Sequence, residues 1–192
     1  MDVCLETDTL ILGIGNILWA DEGFGVRCVE ALNARYAFGD NVRLMDGGTQ
    51  GLFLLPWVST VSRLLIFDAI DYGLAAGELR LIRDDDVPQY MGAKKVSMHQ
   101  TGFQEVLASA RLLNGKPEHL ALIGVQPEQL DDYGGSLRDG IRQRIPEAIV
   151  LACSVLQEWG VPFHERVTPL ASVELTGPGE LAMTRYELGR SQ

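Results

Sequence analysis

Short apolar runs alternate with stretches of helical spacing along this chain, and the alternation predicts its elements. Residues 10–15, LILGIG, form an apolar run ending in glycine, the pattern of a strand buried on both faces. From Gly25 to about Tyr36, Val26, Val29, Ala31 and Leu32 recur among Arg27, Glu30, Asn33 and Arg35 at helical spacing, with Gly39 as the terminator. Residues 42–46, VRLMD, read as a second strand, 63–70, RLLIFDAI, as the clearest buried one, and 119–125, HLALIGV, as the last.

Between these runs, DGGTQG at 46–51 is turn chemistry and a short helix follows around Leu52 to Val58. Residues 71–77 read as a loop, and GELRLIR at 77–83 alternates as an edge strand or hairpin arm does. Asp84, Asp85 and Asp86 are a solvated turn closed by Pro88, without catalytic weight. Phe103 to Leu113 has helical periodicity, Thr101 and Gln104 suggest a capping box, and His99 then falls just before the helix. After the polar loop QPEQLDDYGGSL, Arg138 to Trp159 reads as a closing amphipathic helix kinked at Pro146.

Strands alternating with helices predict an α/β fold, a three-layer sandwich with a twisted, mostly parallel sheet of about five strands and helices on both faces. Residues 1–161 are expected to form one domain, and 162–192, where the periodicity dissolves, an extended or partly disordered tail. No internal repeat or low-complexity segment interrupts this order.

In such a sheet the loops beyond the strand carboxyl ends converge on one crevice. Glu22, Asp68 and His99 each sit just past a strand or at a loop-to-helix start, so residues far apart in sequence can share one site. Two carboxylates and one imidazole make a borderline to hard ligand set, suited to nickel, zinc or another divalent metal with positions left open for substrate. An unpaired carboxylate inside IFDAI is costly, so Asp68 needs a partner; backbone amides of an adjacent turn are the bland one. A lone loop histidine such as His99 is ordinarily just solvated, and Asp46, ending its strand before two glycines, could equally cap a turn.

The GIGN turn invites a dinucleotide reading, but Leu18 stands where the fingerprint needs its third glycine. Trp19, Asp21 and Glu22 add bulk and negative charge there. Asp21 reads as a helix-start acid in a capping or dipole role. Ser97 beside His99 lacks a nucleophile elbow, Cys28 falls within the first helix, and no HExxH helix is present.

A net charge of -10 argues against nonspecific nucleic-acid or anionic-membrane binding. Three cysteines, Cys4, Cys28 and Cys153, show no metal-type spacing and read as reduced thiols in the cytoplasm. No apolar run is long enough to span a bilayer, so no membrane insertion is expected, and without an exposed heptad pattern a monomer is expected.

Taken together, GIGNILWADEGFGV, LMDGGTQG, IFDAIDYG, KKVSMHQ and GVQPEQLDDYGGSL, in order from about Leu10 to Gly160, resemble the nickel-iron hydrogenase maturation endopeptidases. DEGFG, DGGTQG and the DDYGGS loop are most similar to members serving membrane-bound uptake hydrogenases. The resemblance implies metal contacts at Glu22, Asp68 and His99, with Asp46 a further acid near the site; all four match without substitution. Catalytic roles are accordingly expected of Asp46, Glu22 and Asp68.

It also implies a peptidase that acts once on each hydrogenase large-subunit precursor. A C-terminal extension is removed after nickel insertion, beyond the cysteine motif that carries the metal, so nickel is recognised in the substrate. Zinc or another divalent ion could occupy the same residues. The rival reading is a nickel carrier or checkpoint protein that binds the precursor without cutting it, using the same three side chains.

Overall fold

The computed structural model describes residues 7–91, 98–113, 115 and 117–171, with side chains throughout except at 90, 91 and 98–101. Five strands make the main sheet: β1 (Thr9–Ile14), β3 (Val42–Gly48), β4 (Arg63–Ala69), β5 (Leu79–Arg83) and β6 (His119–Val125). Their order is β3-β1-β4-β6-β5; all neighbours are parallel except the β5–β6 pair, which places β5 antiparallel at the edge. The expected α/β sandwich is therefore present, with the alternating GELRLIR run as its antiparallel margin.

The central strands β1, β4 and β6 are largely apolar because both faces are covered, and successive residues divide between the two layers. Leu10 and Leu12 of β1, with Leu64 and Ile66 of β4, join Leu54, Phe103 and Val106 in one core. That layer belongs to α2 (Leu55–Val58), α3 (Val87–Met91) and α4 (Met98–Leu112). Ile11, Leu65, Phe67 and Ile123 point the other way, against Phe24, Val29, Ala148 and Val155. Those residues come from α1 (Phe24–Arg35) and α6 (Ile145–Glu158), with α5 (Asp139–Arg142) at the margin. Each fully buried Leu, Ile or Phe contributes roughly 1.5–3 kcal/mol, so neither layer is dispensable.

Three expectations change. The Arg138 to Trp159 segment divides into α5 and α6, with Pro146 in the first turn of α6. A proline there loses no intrahelical hydrogen bond, so it starts the helix and does not kink it. Secondly, α4 begins at Met98, which puts His99 inside its first turn and Thr101 too deep to cap it. Gln104 instead donates to the Pro88 carbonyl at 3.5 Å. Thirdly, α1 stops at Arg35, ahead of Gly39, because Tyr36 turns extended into β2 (Tyr36–Phe38).

β2 pairs antiparallel with β7 (Phe163–Glu165), at the start of the segment read as a tail. Beyond it, Arg166 Nε donates to the carbonyls of Asn33 and Tyr36, and Leu170 N to that of Ala34. The chain is thus laced to the end of α1 as far as residue 170; residues 172–192 lie outside the described part. The Asp84–Asp86 run is a 3-10 turn in which Asp84 Oδ1 accepts the Leu120 N–H at 3.0 Å.

The first turn of α1 rests directly on sheet backbone. A Cβ on Gly25 would stand 2.2 Å from the Ile14 carbonyl oxygen and 2.3 Å from that of Phe67. Alanine ordinarily gains about 1 kcal/mol over glycine in a helix. Here the obstacle is backbone on two strands, which cannot swing aside, and the overpacking outweighs the propensity. Gly25→Ala should lose about 3 kcal/mol and lower Tm by roughly 6–12 °C in a chain of this size, read by thermal unfolding. An unchanged or raised Tm would show that the helix can lift off the sheet freely.

Candidate active site at the strand carboxyl edge

β1 leads through α1 to β3 on one side, whereas β4 leads on toward β6 on the other, so the chain reverses between β1 and β4. A crevice opens at such a reversal, beyond the carboxyl ends. The loops after β1, β3, β4 and β6 all reach this edge.

After β1 the chain doubles back so tightly that Gly15, at φ 127°, has the Glu22 carbonyl oxygen 1.8 Å from where a Cβ would be. Only glycine fits that position. Gly13 is equally confined, since its Cβ would lie 2.5 Å from the Gly25 carbonyl oxygen. These contacts explain the glycines of GIGN by packing of the chain on itself, and a pyrophosphate is not needed to account for them.

Glu22 lies half-buried in a 3-10 turn, Ala20–Gly23, and its N–H donates to the Trp19 carbonyl. Its neighbour Asp21 is fully buried and does not cap its own helix. Oδ2 accepts the N–H groups of Glu128 and Gln129 at 2.9 and 2.8 Å, and Oδ1 that of Arg138 at 2.8 Å. Asp21 thereby ties the loop after β6 to the turn that carries Glu22. Trp19 and the exposed Tyr133 meet edge to face, 5.3 Å apart, across the same junction.

Asp68, the penultimate residue of β4, is fully buried and shares the face of Leu64 and Ile66, toward the α4 layer. Its Oδ1 accepts the Ala69 N–H at 2.8 Å. His99 is placed by its backbone as the second residue of α4, its side chain lying outside the described residues. α4 leads into the amino end of β6, so its first turn lies toward the carboxyl edge of the parallel strands. Gly102 fixes that placement beside the loop after β3: a Cβ on it would sit 3.4 Å from the Gly51 Cα.

Asp46 stands directly across from Gly13 in the β3–β1 ladder, and Gly13 across from Phe67. Asp46 and Asp68 therefore lie two strands apart, about 10 Å, at one edge but on opposite faces. Asp46 belongs to the α1 side, in a cavity of about 120 Å³ lined by Gly15, Asn16, Ile17, Val26, Gly48 and Thr49. Its Oδ1 accepts the Gly48 N–H at 2.9 Å. Burial raises its carboxyl above the ordinary value, and the Gly48 N–H and the Arg27 charge partly counter this.

Among the described residues no three His, Cys, Asp or Glu side chains form a metal cluster. Glu22, the fully buried Asp68 and, by its backbone, the first turn of α4 all lie toward the carboxyl edge of the sheet, two acids and a turn that carries a histidine. That donor set matches a divalent metal with open positions. Cys28 is fully buried, which pushes its thiol well up and leaves it inert as a nucleophile. Ser97 lies outside the described residues.

Two supporting residues escape a reading of the sequence. Gln126, buried at the end of β6, accepts the N–H groups of Tyr72 and Leu74 and donates to Asp71, fixing the loop after Asp68. Its signal was a single amide ending an apolar run. Arg27, only 4% exposed, gave none, since it reads as the polar face of a surface helix.

The chain matches the family described as "HycI: Hydrogenase maturation protease" over residues 26–155. It is 55% identical over 179 residues to "Hydrogenase expression/formation protein HupD" of Bradyrhizobium diazoefficiens, covering 93% of each chain. It is 40% identical over 153 residues to the "Hydrogenase 2 maturation protease" of Escherichia coli, 79% of this chain and 92% of that one. Among solved structures, the hydrogenase maturating endopeptidase HybD from E. coli superposes with a TM-score of 0.79 at 39% identity, covering 83% of this chain and 98% of that chain. With the family model matched over most of its length and relatives of this identity and coverage, the chain belongs to the hydrogenase maturation protease family.

Proposed function

We propose that this protease removes the C-terminal extension of a nickel-iron hydrogenase large-subunit precursor once nickel has been inserted, and that the precursor's own nickel is what it recognises. What supports this reading is the family match together with the placement of Glu22, the fully buried Asp68 and the first turn of α4 toward the carboxyl edge of the sheet. Three ligands with open positions can bridge to a metal already held by the substrate's thiolates, so only a loaded precursor docks productively. Zinc could occupy the same ligands. The metal would supply Lewis acidity at the scissile carbonyl, and Asp46 or one of the ligand carboxylates would take the proton of the attacking water.

A protein substrate also needs surface to rest on. Leu52 and Phe53 are 52% and 81% exposed on the turn that follows the Asp46 loop. Such apolar groups beside a crevice suit a protein partner. The partner here is a precursor of the membrane-bound uptake type, processed in the cytoplasm by a monomer; among the described residues no helix is long and apolar enough to cross a membrane.

The test is incubation with nickel-loaded and nickel-free precursor, read by intact mass. Loss of a C-terminal peptide from the loaded form alone is the expected result. Cleavage of both forms would remove nickel from recognition, and binding with no mass change would leave a carrier or checkpoint protein.

A further inference from the structure

The two edges of the main sheet differ in how they are guarded. β5 carries Arg80 and Arg83, held in ion pairs with Glu78 and Glu158, and charged side chains are the ordinary protection of an exposed edge. β3, the opposite edge, runs for seven residues against five and ends in Asp46, Gly47 and Gly48 at the crevice. Among the described residues no strand pairs with its outer side. Which main-chain groups face outward follows from the register. The Asn41 carbonyl accepts the Thr9 N–H, and Thr9 stands across from Val42, so the odd-numbered residues of β3 bond to β1. The Val42 N–H accordingly turns away, to the Gly39 carbonyl. The N–H and C=O groups of Leu44 and Asp46 therefore point out of the sheet, at the spacing another strand would meet.

The ground beside this edge is apolar. Leu52, Phe53 and Trp57 are 52%, 81% and 41% exposed along the turn and helix that follow the Asp46 loop. Toward the amino end of β3, Trp57 walls a cavity of about 370 Å³ with Leu10, Thr60, Val61 and Arg43, whose guanidinium lies over the Trp57 ring at 4.4 Å. An apolar ridge thus leads from the crevice to a cavity, alongside unpaired main chain.

We propose that the free edge of β3 docks the C-terminal extension of the precursor as an added strand, antiparallel to β3, running from the Asp46 end to the cavity beside Trp57. The inference rests on the reading under Proposed function. A chain held for cutting at the crevice continues beyond the scissile bond, and the edge begins there, with Asp46 as the last of its outward-facing residues. Leading away from the crevice, the extension runs opposite to β3 and reaches Arg43 after about 10 Å, three residues along. A side chain directly across from Arg43 points to the same face, which is that of Trp57 and the cavity, and an apolar one fills it. The folded body of a large subunit has its main-chain groups paired within itself, whereas an extended terminal segment has its own to offer. Nickel at the crevice and the added strand are two contacts on one chain, so each strengthens the other. Cleavage between them breaks that link, and the short peptide leaves.

Leu44→Pro tests the edge, because a proline whose missing N–H faced outward is tolerated in an edge strand. It should raise KM for the nickel-loaded precursor about tenfold, the effect of losing one main-chain hydrogen bond, with kcat within about twofold. Leu44→Ala keeps the N–H while shortening a side chain that packs against the α1 layer, and should keep the wild-type KM. Trp57→Ala should raise KM in the same direction as Leu44→Pro. An equal rise in Leu44→Ala, or an unchanged KM in Leu44→Pro and Trp57→Ala, would overturn the inference. If Leu44→Pro fails to fold, a photo-crosslink decides. With p-benzoylphenylalanine in place of Phe53, irradiation in the presence of nickel-loaded precursor should attach the protein to the extension, as mapped by mass spectrometry. Attachment only to the body of the large subunit, to a second copy of this chain, or to nothing would overturn the inference as well. A protein that binds loaded precursor without cutting it would end the reading under Proposed function, and the crosslink map would still judge the edge.

Discussion

Asp68→Asn abolishes processing of the nickel-loaded precursor while leaving the protein folded. Asparagine keeps the volume and keeps an oxygen to accept the Ala69 N–H, the hydrogen bond made by Oδ1 at 2.8 Å. What it loses is the negative charge and the second anionic oxygen of a metal ligand. Altering even the groups that orient a metal's ligands typically costs 10–100-fold, so loss of a ligand charge should cost at least about a hundredfold in kcat/KM. Processing is measured by intact mass over a time course, and folding by thermal unfolding of the same samples. Full processing by the variant would sink the ligand assignment; inactivity with a large fall in Tm would mean that the carboxylate is structural. A fully buried acid is worth this test because the chain could have completed β4 with an apolar residue and gained stability.

Asp68 was legible because it breaks a rule of its own strand: one acid in an apolar run. The parallel strands were legible because burial on both faces writes itself as a near-continuous apolar run, and six successive residues are buried in each of β4 and β6. β2 and β7 were not, because three residues each give too short an alternation to separate from loop. Pro146 fitted both a kink and a helix start, and the choice depended on where α5 ended. Arg27 was hidden for a different reason. Helical spacing tells which positions are polar but not which of them the fold covers, and Arg27 is buried together with Glu30, one turn further along the same helix. The crevice was readable as a meeting of strand ends, whereas its division into an Asp68 face and an Asp46 face needed the ladder register.

Asp21 belongs to the same class of hidden residue, and it carries the largest expected effect on stability. Its partners lie 107, 108 and 117 residues away, so nothing local could have named them. Asp21→Asn preserves size but replaces one accepting oxygen by an NH2 group. The oxygen that matters is Oδ2, which accepts from both Glu128 and Gln129. If the amide nitrogen takes that place, two backbone N–H groups face a third donor; if it takes the other, the Arg138 N–H does, at the start of α5. Stranding buried donors in either way, together with the loss of charge-assisted bonds, should cost about 4 kcal/mol, which lowers Tm by roughly 8–16 °C in a chain of this length. The loop at 126–138 also holds the Ala20 and Asp21 N–H groups through the carbonyls of Gly135 and Gln129. Its release loosens the turn that presents Glu22, and hydrogen exchange should quicken at 20–22 and 128–138 together. Unchanged exchange at Glu22 with faster exchange in the loop would separate the two segments and leave Asp21 a support of the loop alone.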